Sequence, residues 1–103
     1  MTTKRFTVTA IIYSKKGRVL SIGKNSYTKT HTYQAKIAES VGEPFKIFLH
    51  AEIHAITRLK DINKAYRISV FRYNADGNPV NAKPCQICAH ALKQTPIKRI
   101  EHT

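Results

Sequence analysis

Four residues in two short motifs carry side chains that can hold and use a metal ion. His50 and Glu52 form an H-x-E motif, and Cys85 and Cys88 form a C-x-x-C motif directly after Pro84. One imidazole and two thiolates fill three corners of a tetrahedral zinc site and leave the fourth corner for water. Glu52 lies two residues beyond His50, so on a helix it points elsewhere and suits a proton carrier better than a fourth ligand. We therefore predict zinc ligands at His50, Cys85 and Cys88 and a catalytic carboxylate at Glu52.

A structural zinc site is the main alternative interpretation of these motifs. A C-x-x-C pair on its own is also typical of structural zinc sites and of redox pairs. A closed structural site needs a fourth ligand, for which His54 or His90 could serve. The spacing of His50 and His54 lacks the H-E-x-x-H order of zinc proteases, so we interpret His54 and His90 as packing or supporting residues. Glu52 favours catalysis, because a purely structural site has no need of a carboxylate there.

The helices around the two motifs are predicted to begin at the motifs themselves. Apolar spacing indicates a helix that begins near residue 49 or 50. Pro84 is typical of the first turn of another helix, which extends to about residue 94. A helix N-terminus favours thiolates, because its unpaired N–H groups and its dipole are positive. Cys85 and Cys88 lie three residues apart on one face of that turn, so both sulfurs can reach one ion.

The other elements are predicted to build a single α/β domain over residues 1–103. Alternating or continuously apolar segments indicate strands at residues 6–13, 18–22, 67–73 and 97–102. The first two strands form an antiparallel hairpin closed at Gly17. Helical spacing from about residue 34 indicates one more helix, which ends at Gly42. Residues 74–79 are predicted to be a turn-rich loop, and the order ββα(α)βαβ contains no repeat or linker.

The composition predicts an anionic ligand or partner. The chain has 103 residues, with 18 Lys and Arg against six Asp and Glu, a formal net charge of +12, so its surface field is strongly positive. No apolar run approaches the roughly 20 residues that a membrane-spanning helix needs, and the first residues lack the apolar core of a signal peptide. The two cysteines suit a metal site better than a disulfide. We expect a soluble, cytoplasmic protein that has no membrane partner.

The motifs make the chain similar to the cytidine deaminase superfamily, in particular to its deoxycytidylate and tRNA-adenosine deaminase branches. Residues 50–56, His-Ala-Glu-Ile-His-Ala-Ile, resemble an H-A-E-x-x-A-[IL] helix, and residues 84–89, Pro-Cys-Gln-Ile-Cys-Ala, resemble a P-C-x-x-C-A helix. Gly23-Lys24-Asn25 resembles the G-x-N of both branches. The resemblance spans Thr7 to Glu101. It implies a minimal version of the three-layer α/β/α sandwich with a mixed sheet in the order 2-1-3-4, the fourth strand being that predicted at 97–102.

The resemblance implies a zinc-dependent hydrolytic deaminase that converts a cytosine nucleotide or nucleoside, of the dCMP or cytidine type, to the uracil form with release of ammonia. Zinc makes a water molecule reactive, and Glu52 carries protons from this water to the ring nitrogen and to the leaving ammonia. Asn25 is expected to contact the sugar or base, although it could be a turn residue, and the backbone N–H of Ala51 to meet the base carbonyl. Pro84 is a further substrate-binding candidate. So is His31, which resembles a histidine of the tRNA enzymes but could equally be a solvated loop residue.

The positive charge leaves more than one substrate class open. It favours a phosphorylated substrate over a neutral nucleoside, and Lys24 and Lys29 flank the predicted substrate loop, where a 5′-phosphate could lie. The same charge is expected of a deaminase that acts on cytosine or adenine in single-stranded DNA or RNA or in tRNA, with Tyr27, Tyr33 or Phe48 as stacking partners. A non-catalytic, zinc-stabilised module that binds nucleic acid is the third alternative.

The chain departs from the family pattern at both ends. The N-terminal helix of many relatives does not precede the first predicted strand, and neither a fifth strand nor C-terminal helices follow the last one. The tRNA enzymes use their C-terminal elements to hold the anticodon loop, so their absence weighs against a tRNA substrate. We expect a homo-oligomer, because a small domain with a bare strand edge favours self-association.

Overall fold

A mixed sheet of five strands carries three α-helices in the computed structural model, which describes residues 6–43 and 48–103. The strands are β1 (Thr7–Tyr13), β2 (Val19–Lys24), β3 (Arg67–Tyr73), β4 (Pro79–Val80) and β5 (Arg99–His102). The helices are α1 (Thr32–Ser40), α2 (Ala51–Thr57) and α3 (Gln86–Lys93), with one 3-10 turn at Ile62–Lys64. The predicted α/β class is confirmed.

The central strands of the sheet are β1 and β3, which pair with each other in an antiparallel arrangement. β2 pairs antiparallel with the other edge of β1, and the turn between them contains Gly17 at a φ of +88°, a conformation that glycine adopts readily. β3 pairs in parallel with β5, so the order agrees with the predicted 2-1-3-4, whose fourth strand is β5. The additional strand β4 begins at Pro79, the last residue of the segment predicted as a loop, and ends at Val80. Its two residues pair with Arg72 and Tyr73, beyond the end of β5, and are too few to show a periodic pattern.

The apolar core lies between one face of the sheet and the helices. Ala10 and Ile12 of β1 point to that face together with their partners Val70 and Ile68 of β3, and all four are at most 1% exposed. They form one cluster with buried side chains of all three helices: Ile37, Ala38, Ile53, Ile56, Ile87, Cys88, Ala91 and Leu92. On the opposite face Ile22 remains exposed. The described residues thus supply the sheet and one helical layer of the expected sandwich.

The helix boundaries follow local capping. α1 begins two residues before the predicted start, because Nδ1 of His31 accepts a hydrogen bond from the backbone N–H of Tyr33 (3.0 Å) and caps the helix. It ends at Ser40, just before Gly42, as predicted. With nine residues, α1 is the longest helix of the described part of the chain, in which no helix is long and apolar enough to cross a membrane.

The first turn of α2 packs directly on the backbone of β2. A Cβ atom built on Gly23 would overlap the carbonyl oxygen of Ala51 and the backbone nitrogen of Ala55. Two residues earlier on the same face, the hydroxyl of Ser21 donates a hydrogen bond to the carbonyl of Ala55 (2.7 Å). Because Gly23 and the Ser21 hydroxyl both lie against backbone atoms of α2, these contacts fix the helix relative to the sheet.

Replacement of Gly23 by alanine is expected to lower the free energy of unfolding by about 2–3 kcal/mol, because α2 must move away from β2. Urea denaturation monitored by circular dichroism measures this change. The control is Ile22→Ala, which alters the adjacent side chain on the exposed face and is expected to cost about 1 kcal/mol or less. A Gly23→Ala protein as stable as the wild type would contradict the close packing of α2 on β2.

Candidate active site

The two predicted motifs lie where α2 and α3 begin. His50 is the N-cap residue of α2 and Cys85 is the N-cap residue of α3, and both have extended backbone conformations. Neither side chain caps its own helix, and the two side chains approach each other instead. Cys88 lies one turn into α3 and is fully buried. Both helix starts therefore face one common point.

The three predicted ligand atoms converge at that point. Nδ1 of His50 lies 3.3 Å from Sγ of Cys88 and 3.5 Å from Sγ of Cys85, and all three atoms lie within 4.8 Å of one another. Ligand atoms around a tetrahedral zinc ion are separated by about 3.5–3.8 Å, given bond lengths near 2.0 Å to nitrogen and 2.3 Å to sulfur. Both cysteines are free thiols. The arrangement thus fits a zinc ion, and it excludes His54 and His90, which are not part of the cluster.

The two thiols differ in acidity. A hydrogen bond from Cys88 and, to a lesser extent, the neighbouring His50 lower the pKa of Cys85 to about 3, against the opposing effect of burial. The same hydrogen bond raises the pKa of Cys88, together with burial and the nearby charge of Glu52. Cys85 is therefore a thiolate, the form that binds zinc. A zinc ion bound here would displace the proton of the Cys88 thiol, so metal binding would release a proton.

Glu52 is a buried carboxylate beside this cluster. It lies in the first turn of α2 and is 6% exposed. Burial raises its pKa, although hydrogen bonds from its own backbone N–H and from the Cys88 thiol lower it in part. A carboxyl group with a raised pKa can both accept and return a proton near neutral pH. This position is consistent with the predicted proton carrier.

A cavity of about 450 Å³ opens beside the cluster. His50, Ala51, Glu52 and Cys85 contribute to its lining, and the side walls include buried apolar residues such as Val70. Its solvent-exposed members include two aromatic side chains and a lysine: Tyr27, Phe48 and Lys83. Cavities of this size commonly hold small organic ligands. The cavity has an apolar wall, a polar floor at the helix starts and an exposed entrance.

Of the predicted substrate-binding residues, Asn25 and Ala51 line the cavity. Ala51 is the first residue of α2, where backbone N–H groups have no partner within the helix. The side chain of Asn25 also joins the loop after β2 to the start of β1. Its Oδ1 accepts from the N–H of Val8 (3.0 Å), and its Nδ2 donates to the carbonyl of Phe6 (3.1 Å). Asn25 thus shapes the cavity besides lining it.

The other predicted substrate-binding residues, Lys24, His31 and Pro84, are not among the lining residues. The backbone N–H of Lys24 donates to Nδ1 of His54 (3.0 Å), and the lysine side chain is exposed. This contact gives His54 a supporting role, as predicted. His31 is exposed and caps α1, while Pro84 is half-buried next to Cys85.

Two lining residues, Arg72 and Lys83, have no role in the sequence-based prediction. Arg72 follows Ile68 and Val70 with the two-residue spacing of a strand, which places a charged side chain at the end of the buried face. This charged residue at the end of a buried strand face is the sequence feature that could have indicated Arg72 as a lining residue. Lys83 lies two residues before Cys85, and its nearness to a predicted ligand was a second, weaker signal.

Comparisons with known proteins agree with this site and fold. The family model described as "Cytidine and deoxycytidylate deaminase zinc-binding region" matches residues 1–102. Seven chains of solved structures match, among them a mutant cytidine deaminase from Mycobacterium tuberculosis. The alignment with that enzyme has a TM-score of 0.52 and 21% sequence identity, and covers 95% of this chain and 68% of the other. Identity this low shows a shared fold alone. A comparison with curated protein sequences found no match.

Proposed function

The chain belongs to the cytidine and deoxycytidylate deaminase zinc-binding family, and on this premise we propose that it is a zinc-dependent hydrolytic deaminase of a cytosine nucleotide or nucleoside. The observation that supports the proposal is the convergence of His50, Cys85 and Cys88 beside the buried carboxylate of Glu52, at the floor of a ligand-sized cavity. A structural zinc site requires neither the carboxylate nor the cavity.

The chain's own residues would hold the metal and move the protons. One imidazole and two thiolates, from His50, Cys85 and Cys88, would bind the ion. When bound, zinc supplies a Lewis acid that makes a water molecule nucleophilic at neutral pH. Glu52 would accept the two protons of this water one after the other, and would donate one to the ring nitrogen and one to the leaving amine. The exocyclic C–N bond breaks, a carbonyl forms in its place, and ammonia leaves.

The base would be held by backbone and amide groups at the floor of the cavity. The N–H of Ala51, at the start of α2, is suited to donate to the base carbonyl. A side-chain amide has two N–H donors and two acceptor lone pairs, and the contacts of Asn25 with Val8 and Phe6 use one of each. The remaining donor and acceptor can serve the substrate. Val8 and Val70 supply apolar surface for the flat ring.

Mass spectrometry tests the proposed activity. Zinc-loaded protein is incubated with cytosine, cytidine, deoxycytidine, CMP, dCMP, adenosine and single-stranded DNA and RNA oligomers, with Glu52→Ala as the blank. A cytosine mononucleotide or nucleoside is expected to gain about one dalton as its amine becomes a carbonyl. A gain on none of the substrates would contradict the proposal and favour a non-catalytic zinc module.

A second substrate class is supported by the aromatic entrance of the cavity. Tyr27 is 42% exposed and Phe48 is 47% exposed, and both line it. Exposed aromatic rings beside positive charge are typical of surfaces that stack single-stranded bases. Tyr33, the other suggested stacking residue, packs against the core and is not among the lining residues. A mass gain confined to the oligomers would favour this alternative.

A further inference from the structure

We infer that Arg72 and Lys83 form an anion-binding pair at the entrance of the cavity and that the substrate therefore carries a phosphate group. This inference rests on the proposed function, because it concerns the substrate of the same site. It places phosphate recognition on β3 and on the segment before α3. Lys24 at the end of β2 and Lys29 in the loop that follows, which the sequence had suggested, do not line the cavity.

Arg72 is held in place by two contacts. Its guanidinium lies over the ring of Phe6, 4.0 Å from the ring centroid, and its Nη1 donates to the carbonyl of Asn81 (3.3 Å). On β3 it lies two residues beyond Val70, on the same face and nearer the solvent. A guanidinium carries five N–H donors in a planar fork that matches phosphate oxygens. Because the fork is already positioned, binding an anion costs little further side-chain entropy.

Lys83 shares its anchor with Arg72. The side-chain oxygen of Asn81 accepts from the backbone N–H of Lys83 (2.9 Å), while the carbonyl of the same asparagine accepts from Arg72. One residue thus connects the two cationic residues. Lys83 is exposed and lines the cavity two residues before Cys85, which places this residue at the solvent-exposed side of the site.

The distribution of charge along the cavity favours a phosphorylated ligand. Among the described residues that line it, Glu52 is the sole carboxylate, and it is buried at the floor beside the ligand cluster. The entrance therefore has a positive field from Arg72 and Lys83. A nucleotide matches this arrangement when its base reaches the floor and its phosphate stays at the entrance. A neutral nucleoside would leave both cations without an anionic partner.

Lys24 and Lys29 offer a direct comparison within the same chain. Both are exposed, and neither is among the residues that line the cavity. The backbone N–H of Lys29 donates to the hydroxyl of Ser26 (2.8 Å) in the loop after β2. Their charges contribute to the positive field of the whole protein surface, but the two lysines are assigned no contact with the ligand.

Binding measurements on a catalytically impaired protein test the pair. Zinc-loaded Glu52→Gln protein is titrated calorimetrically with dCMP, with deoxycytidine and with a short DNA oligomer that contains one deoxycytidine. The added substitutions are Lys83→Gln, Arg72→Gln and Arg72→Lys, with Lys24→Gln and Lys29→Gln as the competing lysines, and the control is Lys16→Gln on the exposed β1–β2 turn. Lys83→Gln and Arg72→Gln are expected to weaken dCMP binding by about ten- to a hundredfold, the effect of losing a charged hydrogen bond. Arg72→Lys retains part of the affinity, and Lys16→Gln binds like its parent.

The outcomes separate this inference from the proposed function. The protein is expected to bind deoxycytidine more weakly than dCMP. Its affinity for deoxycytidine is expected to be the same in the Lys83 and Arg72 variants as in their parent. Equal losses for both ligands, no loss, or a loss only in Lys24→Gln or Lys29→Gln would overturn the inference. Phosphate-dependent binding without any turnover by the wild type would support the pair and reject the deaminase activity. Tighter binding of the oligomer than of dCMP, lost in the same variants, would identify a phosphodiester as the group recognised.

Discussion

The Glu52→Gln protein is expected to bind zinc like the wild type and to lose about two to four orders of magnitude in kcat, the usual contribution of a general acid and base. The amide has nearly the shape of the carboxyl group but cannot accept the proton of a water molecule. Glu52 is not part of the ligand cluster, so the metal site itself is unchanged by this substitution. Zinc content per chain and steady-state kinetics on the preferred substrate measure the two effects separately.

Glu39→Gln is the matched control for this substitution. Glu39 is an exposed residue of α1 and does not line the cavity, so the same chemical change there is expected to leave kcat unaltered. Retained activity in Glu52→Gln would remove Glu52 from its catalytic role. Loss of zinc together with activity would make Glu52 a metal ligand.

The metal cluster could be predicted from the sequence because its geometry is local. Cys85 and Cys88 are separated by one helical turn, and His50 and Cys85 each precede an apolar periodic segment, so each motif marks a helix start. The strands of four to seven residues were indicated by segments that alternate or are continuously apolar, whereas their order in the sheet was implied by the family resemblance. The two residues of β4 are too few to show the two-residue periodicity of a strand, so nothing in the sequence predicted that strand.

The entrance of the cavity could not be predicted, because distant segments form it. Arg72 contacts Phe6 and Asn81, which belong to different parts of the chain, and no short motif connects them. Lys24 is the middle residue of a recognisable G-x-N pattern, yet its backbone N–H donates to His54 and the residue does not line the cavity. Proximity to this motif in sequence therefore identified Asn25 as a lining residue but gave no indication of Arg72 or Lys83. Oligomeric state and cytoplasmic location stay predictions.

Removal of zinc is expected to lower the melting temperature of the wild-type protein by about 15–30 °C. A ligand at a thousand times its dissociation constant stabilises the folded state by about 4 kcal/mol, and one kcal/mol corresponds to roughly 4–8 °C in a domain of this size. The structural reason is that the ligands join α2 to α3: His50 is 35 residues from Cys85 and 38 residues from Cys88. Differential scanning calorimetry with and without a chelator measures the shift.

The variants Cys88→Ala and His90→Ala distinguish the stabilisation by a zinc ion that joins α2 to α3 from a general effect of the chelator. Cys88→Ala should contain little zinc, melt near or below the chelated wild type and respond no further to chelation, since folding and binding share one ion. His90→Ala removes a half-buried histidine of α3 that is outside the cluster, and should keep both its zinc and its response. Full zinc occupancy in Cys88→Ala would reject that ligand. If the chelator leaves the melting temperature of the wild type unchanged, packing between α2 and α3 holds the site together without the metal.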